Sequence, residues 1–201
     1  MVVSNGKKEP VAGLRNVTRQ AVRAEIAAKA LDLFLEQGFE QTTVNQIAAA
    51  VGMSPRSVFR YFDTKEDMVI GGLIELGHGV ADALESQPED RTAWTALRNA
   101  LQVCVEALEG EELGLRRATM LADTPALRTA LLNKQLHWQR LLIPHVTQRL
   151  GGADETRELR ARALVASALA CLDVAATEWT RGNGSRPLGS LLDTVISAVR
   201  A

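Results

Sequence analysis

The chain has 201 residues, 46% of them hydrophobic and 23% charged, so it is long enough for one or two domains with a substantial core. With a net charge of −1, the chain as a whole is not basic enough to bind nucleic acid through its total charge alone. The charge is unevenly distributed, because residues 1–65 carry nine basic and six acidic side chains, a net charge of +3, and the remainder carries −4. This asymmetry favours a nucleic-acid-binding N-terminal end on an acidic body.

The sequence shows no signal peptide and no apolar run long enough to span a bilayer, so we expect a cytoplasmic protein without a membrane partner. Its two cysteines, Cys104 and Cys171, lie in apolar helical segments. In a reducing compartment, such residues are expected to be buried thiols rather than a disulfide.

The N-terminal segment is predicted to be a flexible basic arm over residues 1–17, because it mixes Gly, Pro, Asn and Lys without periodicity. A first long helix is predicted from Thr18 to Gly38, where apolar residues recur at helical spacing. Arg19 and Arg23, near its start, are expected to be solvated, with phosphate contact as the alternative.

Two short helices joined by a glycine turn follow. Thr43 and Gln46 form a capping-box pattern at the start of the first of them, and Gly52 ends it. Ser54 caps the second, with Pro55 at the first helical position, where its missing N–H is harmless. The pattern predicts a helix-turn-helix, a motif whose second helix enters the DNA major groove.

The second helix of this pair is expected to extend to about Phe62, with Val58 and Phe62 facing the core at i, i+4 spacing. Thr64 and Asp67 form another capping box, which opens a long helix running to about Ser86. Residues 18–65 are therefore predicted to form the DNA-binding domain, and residues 66–201 the body.

Residues 18–73 resemble the tetracycline-repressor-like (TetR) family of transcriptional regulators. The resemblance lies in the run RAEIAAKALDLFLEQGFEQTTVNQIAAAVGMSPRSVFRYFDTKEDMV, with its Gly-Phe turn, Thr-Thr cap, Gly turn and Phe-x-Tyr-Phe-x-x-Lys segment. It implies an all-α fold and a sequence-specific regulator, expected to be a repressor released from a palindromic operator by a hydrophobic small molecule. No cofactor is implied.

The resemblance also implies which residues touch DNA, and side-chain chemistry suggests their roles. Arginine is suited to bidentate contact with guanine, so Arg56, Arg60 and Ser57 are predicted to face base edges. Lys65, Tyr61 and Thr43 are predicted to contact phosphates. The full predicted set is Thr43, Pro55, Arg56, Ser57, Phe59, Arg60, Tyr61 and Lys65. Many relatives carry tyrosine at position 59, so Phe59 is expected to make an apolar contact instead of a phosphate bond.

The body reads as further helices over residues 92–108, 116–122, 125–150, 156–181 and 187–199, which makes about nine helices and no strand in the chain. Pro144 is expected to kink or break its helix near Leu142. By resemblance and from the placement of its tryptophans, the body is predicted to enclose an apolar ligand cavity. Its predicted lining residues are Trp94, Met120, Leu121, Trp138 and Leu141.

The last two helices are predicted to form a homodimer seam, because two-fold pairing places two recognition helices on a palindrome. The predicted interface residues are Ala161, Ala168, Ala175, Leu188, Leu191, Leu192, Val195 and Ile196. The alternative is that these side chains close the core of the single chain.

The sequence offers little support for catalysis. It has no P-loop, no GxGxxG and no nucleophile motif, and none of its three histidines pairs at i, i+4 with another His or Cys, so neither a catalytic nor a metal site is predicted. Asp173, in an apolar run, could bond across an interface, face a cavity or be a satisfied surface residue. A ligand-independent DNA-binding protein and, less favoured, a helical enzyme remain the alternatives.

Overall fold

A computed structural model describes residues 11–110, 113–152 and 155–200. Within these residues the chain forms ten α-helices and one short 3-10 helix, Pro125–Leu127, and no strand, so the predicted all-α fold is confirmed. The α-helices are α1 (Val11–Gln37), α2 (Val44–Ala50), α3 (Pro55–Val58), α4 (Lys65–Glu85), α5 (Ala93–Ala100), α6 (Gln102–Glu109), α7 (Gly114–Asp123), α8 (Arg128–Leu150), α9 (Arg157–Arg181) and α10 (Leu188–Arg200).

The chain divides into two compact units, Met1–Val69 and Ile70–Ala201. The division falls about one helical turn into α4, whereas the sequence places a boundary between residues 65 and 66. Part of the predicted arm, residues 1–10, lies outside the described residues. The rest of the arm is corrected by the structure, because α1 begins at Val11 rather than Thr18. A helix that is already nucleated extends at little cost into residues of acceptable propensity.

The N-terminal unit has a small core made by one face from each of its helices. The rings of Phe34 and Phe39 lie 4.9 Å apart between centroids, at the turn that follows α1. Thr42 is a buried polar residue, and its hydroxyl donates to the carbonyl oxygens of Leu33 and Gly38. The buried apolar residues are Ile26, Ala30, Phe34, Phe39, Ile47, Ala48, Val58, Phe62, Met68 and Val69.

The C-terminal unit is built around α9, which packs against α8 on one side and α10 on another, and also contacts α5 and α7. Its core contains the buried tryptophans Trp138 and Trp179 and the free thiols of Cys104 and Cys171. None of the described helices is long and apolar enough to cross a membrane.

Two helix boundaries in this unit differ from the predicted ones. The helix expected over residues 92–108 is interrupted at Leu101, where ψ is −10° and the carbonyl oxygen accepts from both Cys104 and Val105. This 3-10-like turn adds one helix to the expected number. Conversely, α8 runs through Pro144 without a break. Packing of α8 along α9 compensates for the single backbone hydrogen bond that proline removes.

Candidate nucleic-acid interface and ligand cavity

The helix-turn-helix is held by the caps that the sequence predicts. Thr43 Oγ1 accepts a hydrogen bond from the backbone N–H of Gln46, and the backbone N–H of Thr43 donates to Gln46 Oε1. These two bonds complete a capping box at the start of α2. Gly52 ends α2 with φ of +65°, and the amide of Met53 donates to Ala48 O at 2.9 Å. This Schellman geometry favours glycine, because a Cβ is strained at positive φ.

The start of α3 is equally well defined. Ser54 Oγ accepts from the Ser57 amide at 3.2 Å, and Pro55 occupies the first helical position. The α-helix proper ends at Val58, and tighter i, i+3 turns carry the chain on to Phe62. Val58 and Phe62 are both buried, as predicted, so this segment is anchored to the core at two points.

The residues predicted to meet DNA lie on the other side of this anchored segment. Pro55, Arg56 and Arg60 are exposed, and Phe59 exposes 50% of its surface although it is aromatic. Arg56 and Arg60 make no side-chain hydrogen bond or ion pair with any described residue. Both guanidinium groups therefore remain available for an external partner. Half-buried Ser57 places its hydroxyl 3.0 Å from that of Ser54.

Two arginines of α1 support the end of the α3 segment. Arg19 Nη2 donates to Arg60 O at 3.2 Å, and Arg23 Nη1 donates to Tyr61 O at 2.6 Å. Arg23 also lies over the Phe62 ring, with its guanidinium carbon 4.3 Å from the centroid. These arginines satisfy carbonyls that a helix end leaves free, which is a structural role that the sequence did not predict.

Lys65 also has a structural role. Its ammonium donates to the carbonyl oxygens of Phe39 at 2.7 Å and Thr42 at 3.1 Å, and it lies 4.3 Å from the centroid of the Phe39 ring. The reciprocal Thr64–Asp67 box that was predicted caps the same helix start. Two of the three donors of this ammonium therefore fix the turn between α1 and α2, and the third has no hydrogen-bond partner among the described residues.

The C-terminal unit contains a cavity of about 400 Å³. It lies among α4, α6, α7, α8 and α9 and is largely apolar. Its lining residues are Leu73, Leu76, Cys104, Leu108, Ala118, Leu121, Ala122, Arg128, Leu131, Leu132, Lys134, Gln135, Trp138, Leu169, Leu172, Asp173, Ala176, Thr177 and Thr180. Its size falls within the roughly 300–1,000 Å³ of small-molecule sites in proteins.

The predicted lining needs correction at three positions. Leu121 and Trp138 line the cavity, whereas Trp94, Met120 and Leu141 do not. Trp94 belongs to α5, which contributes nothing to the lining, and packs against the core instead. Met120 points away because it lies two residues, about 200°, from Ala118 on α7. The lining contributed by α8 ends at Trp138, one turn before Leu141.

The cavity lining includes the charged residues Arg128, Lys134 and Asp173, and of these only Asp173 was considered for a cavity from the sequence. Burial lowers the pKa of Lys134 below 10.5, while Cys104 and Asp173 act in the opposite direction. Burial also raises the pKa of the Cys104 thiol to about 12, so this thiol is uncharged at neutral pH and Asp173 is the effective counter-charge. The third is exposed Arg128. Asp173 therefore faces the cavity, one of the roles left open by the sequence.

Trp138 connects the cavity wall to α4. Its indole Nε1 donates to Leu73 O at 3.0 Å, and its ring packs against Gly77. A Cβ built on Gly77 would lie 2.4 Å from Nε1, so only glycine permits this approach. Lys134, one turn earlier on α8, places its Nζ 4.6 Å from the centroid of the same indole.

The predicted dimer seam is corrected, because its residues face inwards. Seven of the eight are buried in the single chain, namely Ala161, Ala168, Ala175, Leu188, Leu191, Leu192 and Ile196, and Val195 is half-buried. They close the core between α9 and α10, where small alanines let the two helices approach. The structure therefore supports the alternative, in which these side chains close the core of the single chain.

The opposite face of α9 carries an exposed apolar stripe. It consists of Leu159, Ala163, Ala166, Ala170 and Val174, which recur at three- and four-residue spacing. Leu159 is 68% exposed and Val174 54%. This set is named the α9 outer stripe below. The sequence does not reveal it, because α9 is rich in alanine on every side.

Comparisons with known proteins agree with this architecture. A family model for bacterial regulatory proteins of the tetR family matches residues 26–70, and a model of the MftR C-terminal domain matches residues 91–201. The chain is 32% identical over 174 residues to the HTH-type transcriptional regulator TcmR of Streptomyces glaucescens, covering 83% of this chain and 76% of TcmR. It is 30% identical over 131 residues to the HTH-type transcriptional repressor AcnR of Corynebacterium diphtheriae, covering 64% of this chain and 63% of AcnR.

Among solved structures, the chain is similar to FadR of Thermus thermophilus, a TetR-family transcriptional repressor, with a TM-score of 0.58 and 22% identity over 87% of this chain and 91% of FadR. At this identity the likeness concerns the fold. The two family models and the identity to TcmR concern the sequence itself. The capped helix-turn-helix, the helical C-terminal unit and these matches lead to one conclusion: the chain belongs to the tetR family of bacterial regulatory proteins and is a DNA-binding transcriptional regulator.

Proposed function

We propose that this regulator is a repressor that binds a palindromic operator as a homodimer and leaves it when a hydrophobic small molecule enters the cavity of the C-terminal unit. The observation that carries the proposal is that one helix, α4, contains both Lys65, which holds the α1–α2 turn, and Leu73 and Leu76, which line the cavity. A ligand in the cavity therefore touches the helix that begins at the DNA-binding unit.

For DNA recognition, the proposal assigns base contacts to Arg56 and Arg60, since both are exposed and unpaired among the described residues. An arginine of this kind can make two hydrogen bonds to guanine in the major groove. Phe59, with half its surface exposed, is assigned an apolar contact such as a thymine methyl group. Thr43, Tyr61 and the remaining donor of Lys65 are assigned to phosphates.

For dimerisation, the proposal assigns the α9 outer stripe to contact with a second copy. One α3 segment contacts only a few base pairs, so a palindrome read by two copies roughly doubles the contact. Alanines at the centre of the stripe permit close helix approach, and Leu159 and Val174 supply apolar area near its ends. An exposed apolar face of this length on a long helix is typical of a protein–protein contact.

For ligand release, the proposal rests on the Trp138–Leu73 hydrogen bond. A ligand that displaces the indole breaks this bond and changes the packing of α4 against α8. The ligand shifts the DNA equilibrium by no more than its own preference between the two conformations. The structurally similar FadR of Thermus thermophilus was crystallised in complex with lauroyl-CoA, whose acyl chain is apolar, and this supports an effector with an apolar part here.

Selection of bound fragments from a random DNA pool tests the first part of the proposal, and an enriched palindrome is expected. The operator so obtained is then challenged with a panel of neutral, acidic and basic apolar compounds while tryptophan fluorescence and operator binding are followed together. We expect at least one compound to change the fluorescence and to release the operator. If a palindrome is enriched but no compound does both, the protein is a ligand-independent DNA binder.

A further inference from the structure

The cavity of the C-terminal unit carries a net positive charge. Among the described lining residues, Arg128, Lys134 and Asp173 are the charged ones, and together they give a net charge of +1. Arg128 and Asp173 are both exposed, whereas Lys134 is half-buried. The charge that a bound molecule meets inside the cavity is therefore the ammonium of Lys134.

The ammonium of Lys134 is opposed only by the exposed carboxylate of Asp173 among the described residues, and the two do not form an ion pair. It makes no hydrogen bond or ion pair with the residues that the structure describes, and its Nζ lies over the face of the Trp138 ring, 4.6 Å from the centroid. Burial lowers its pKa, which means that the charged form is less favourable here than in water. A half-buried cation with unused donors gains from an anion that a ligand brings close to it.

Apolar surface surrounds this cation. The leucines of the lining come from α4, α6, α7, α8 and α9, and six of them are Leu73, Leu76, Leu121, Leu131, Leu169 and Leu172. A molecule that fills the cavity must therefore be mostly apolar, with one acidic group that can reach Lys134. Among the described lining residues, a cationic lipophile would find one acidic side chain, the exposed Asp173, together with two positive side chains.

We propose that the effector is an anionic amphiphile whose acidic group pairs with Lys134 above Trp138 and whose apolar body lies against these leucines. This inference rests on the proposed ligand-released function and narrows it to one class of effector. It places the acid beside the indole that donates to Leu73, so that binding of the headgroup acts directly on the Trp138–Leu73 hydrogen bond.

The test compares three probes of equal chain length, namely decanoate, methyl decanoate and decyltrimethylammonium, by calorimetric titration of the full chain below their micelle concentrations. Operator release is followed in parallel. We expect decanoate to bind at least about tenfold more tightly than its methyl ester, as for one charge-assisted hydrogen bond in an apolar site, and the cation to bind most weakly. Decyl phosphate and decyl sulfonate then determine which acidic group is preferred.

Variants connect this preference to one side chain. Lys134→Met should remove the preference for decanoate over the ester while affinity for the ester is kept. Arg140→Met, which removes an exposed charge from the same helix outside the cavity, should leave the preference unchanged. Because the acid–ester comparison in the unmodified protein needs no variant, the proposal remains testable even if Lys134→Met folds poorly.

The outcomes separate this inference from the function on which it rests. Equal affinity for acid and ester, tighter binding of the cation, or an acid preference that survives Lys134→Met would each overturn the anionic class. Operator release by the ester with no binding of decanoate would also overturn it, while leaving a ligand-released repressor intact. If none of the three probes binds, the acid assignment fails, and the broader panel described above decides the ligand-released function separately.

Discussion

The indole Nε1 of Trp138 donates a 3.0 Å hydrogen bond to the carbonyl oxygen of Leu73, across the contact between α8 and α4. The indole can approach this carbonyl because Gly77, one turn further along α4, has no side chain. The same ring carries Lys134 near its face and forms part of the cavity wall. The Trp138 side chain therefore lines the cavity, contacts the ammonium of Lys134 and is hydrogen-bonded to α4, the helix that begins in the N-terminal unit.

Gly77→Ala should displace Trp138 and lower the free energy of unfolding by about 1–3 kcal/mol, the range for overpacking a core. The added Cβ would overlap the indole at 2.4 Å, and this effect exceeds the gain in helix propensity. Gly72→Ala is the matched control on the same helix, because its Cβ would have no other atom within 4 Å. The control should raise stability by up to about 1 kcal/mol. Urea unfolding measures both, and equal changes in the two variants would argue against this packing.

Arg56→Ala should weaken binding to the selected operator more than binding to random DNA, with a loss of about 1–3 kcal/mol in discrimination. The reason is that the exposed guanidinium has no partner among the described residues and lies in the first turn of α3. Competition measured by fluorescence anisotropy reports the discrimination. Lys29→Ala, which removes the same charge from α1, should leave it unchanged. Equal losses on both DNAs would show that Arg56 contacts phosphate only.

Lys65→Ala should lower the free energy of unfolding by about 1–3 kcal/mol even in the absence of DNA, because the carbonyls of Phe39 and Thr42 lose a charged donor. Lys29→Ala again serves as the control, since its ion pair with Asp32 is exposed and such pairs contribute about 0–1 kcal/mol. Unfolding by urea provides the comparison. Unchanged stability with uniformly weaker DNA binding would leave Lys65 with a phosphate role alone.

Ala166→Arg should convert a homodimer into monomers without unfolding the chain, because residue 166 is exposed at the centre of the α9 outer stripe. Ala126→Arg, at an exposed alanine outside α9, should leave the assembly unchanged. Sedimentation equilibrium at micromolar concentration reports both masses. A monomeric unmodified chain, or a dimer that tolerates arginine at residue 166, would contradict the proposed interface.

Lys134→Met should raise the free energy of unfolding at pH 7, because the variant removes a charge that burial disfavours and keeps a similar apolar stem. The folded-state pKa is lowered, so between that value and 10.5 the unfolded lysine binds more protons than the folded one. Stability of the unmodified chain therefore rises with pH through this window, and the advantage of the variant shrinks. Urea unfolding at pH 7 and pH 10 measures the difference, and a variant that is less stable at pH 7 would contradict it.

Much of the N-terminal unit could be predicted from local sequence. The Thr43–Gln46 and Thr64–Asp67 boxes, the Ser54–Pro55 start and the Gly52 stop are formed by residues within a few positions of one another, so their geometry follows from the order of the residues. The hydrogen-bond partners of Arg19, Arg23 and Lys65 could not be predicted in this way, because each partner lies more than 20 residues away along the chain.

By itself the sequence determined the all-α class, the helix-turn-helix and its outward-facing arginines, because caps, turns and helical periodicity are local properties of the chain. Only the tertiary structure decided which face of α9 closes the core, which side chains line the cavity and that Lys134 lies inside it. In a helix rich in alanine, or in one that is apolar around much of its circumference, spacing alone does not distinguish the faces. The packing of α8 and α10 against α9 makes that choice, because it buries one side and leaves the other to solvent.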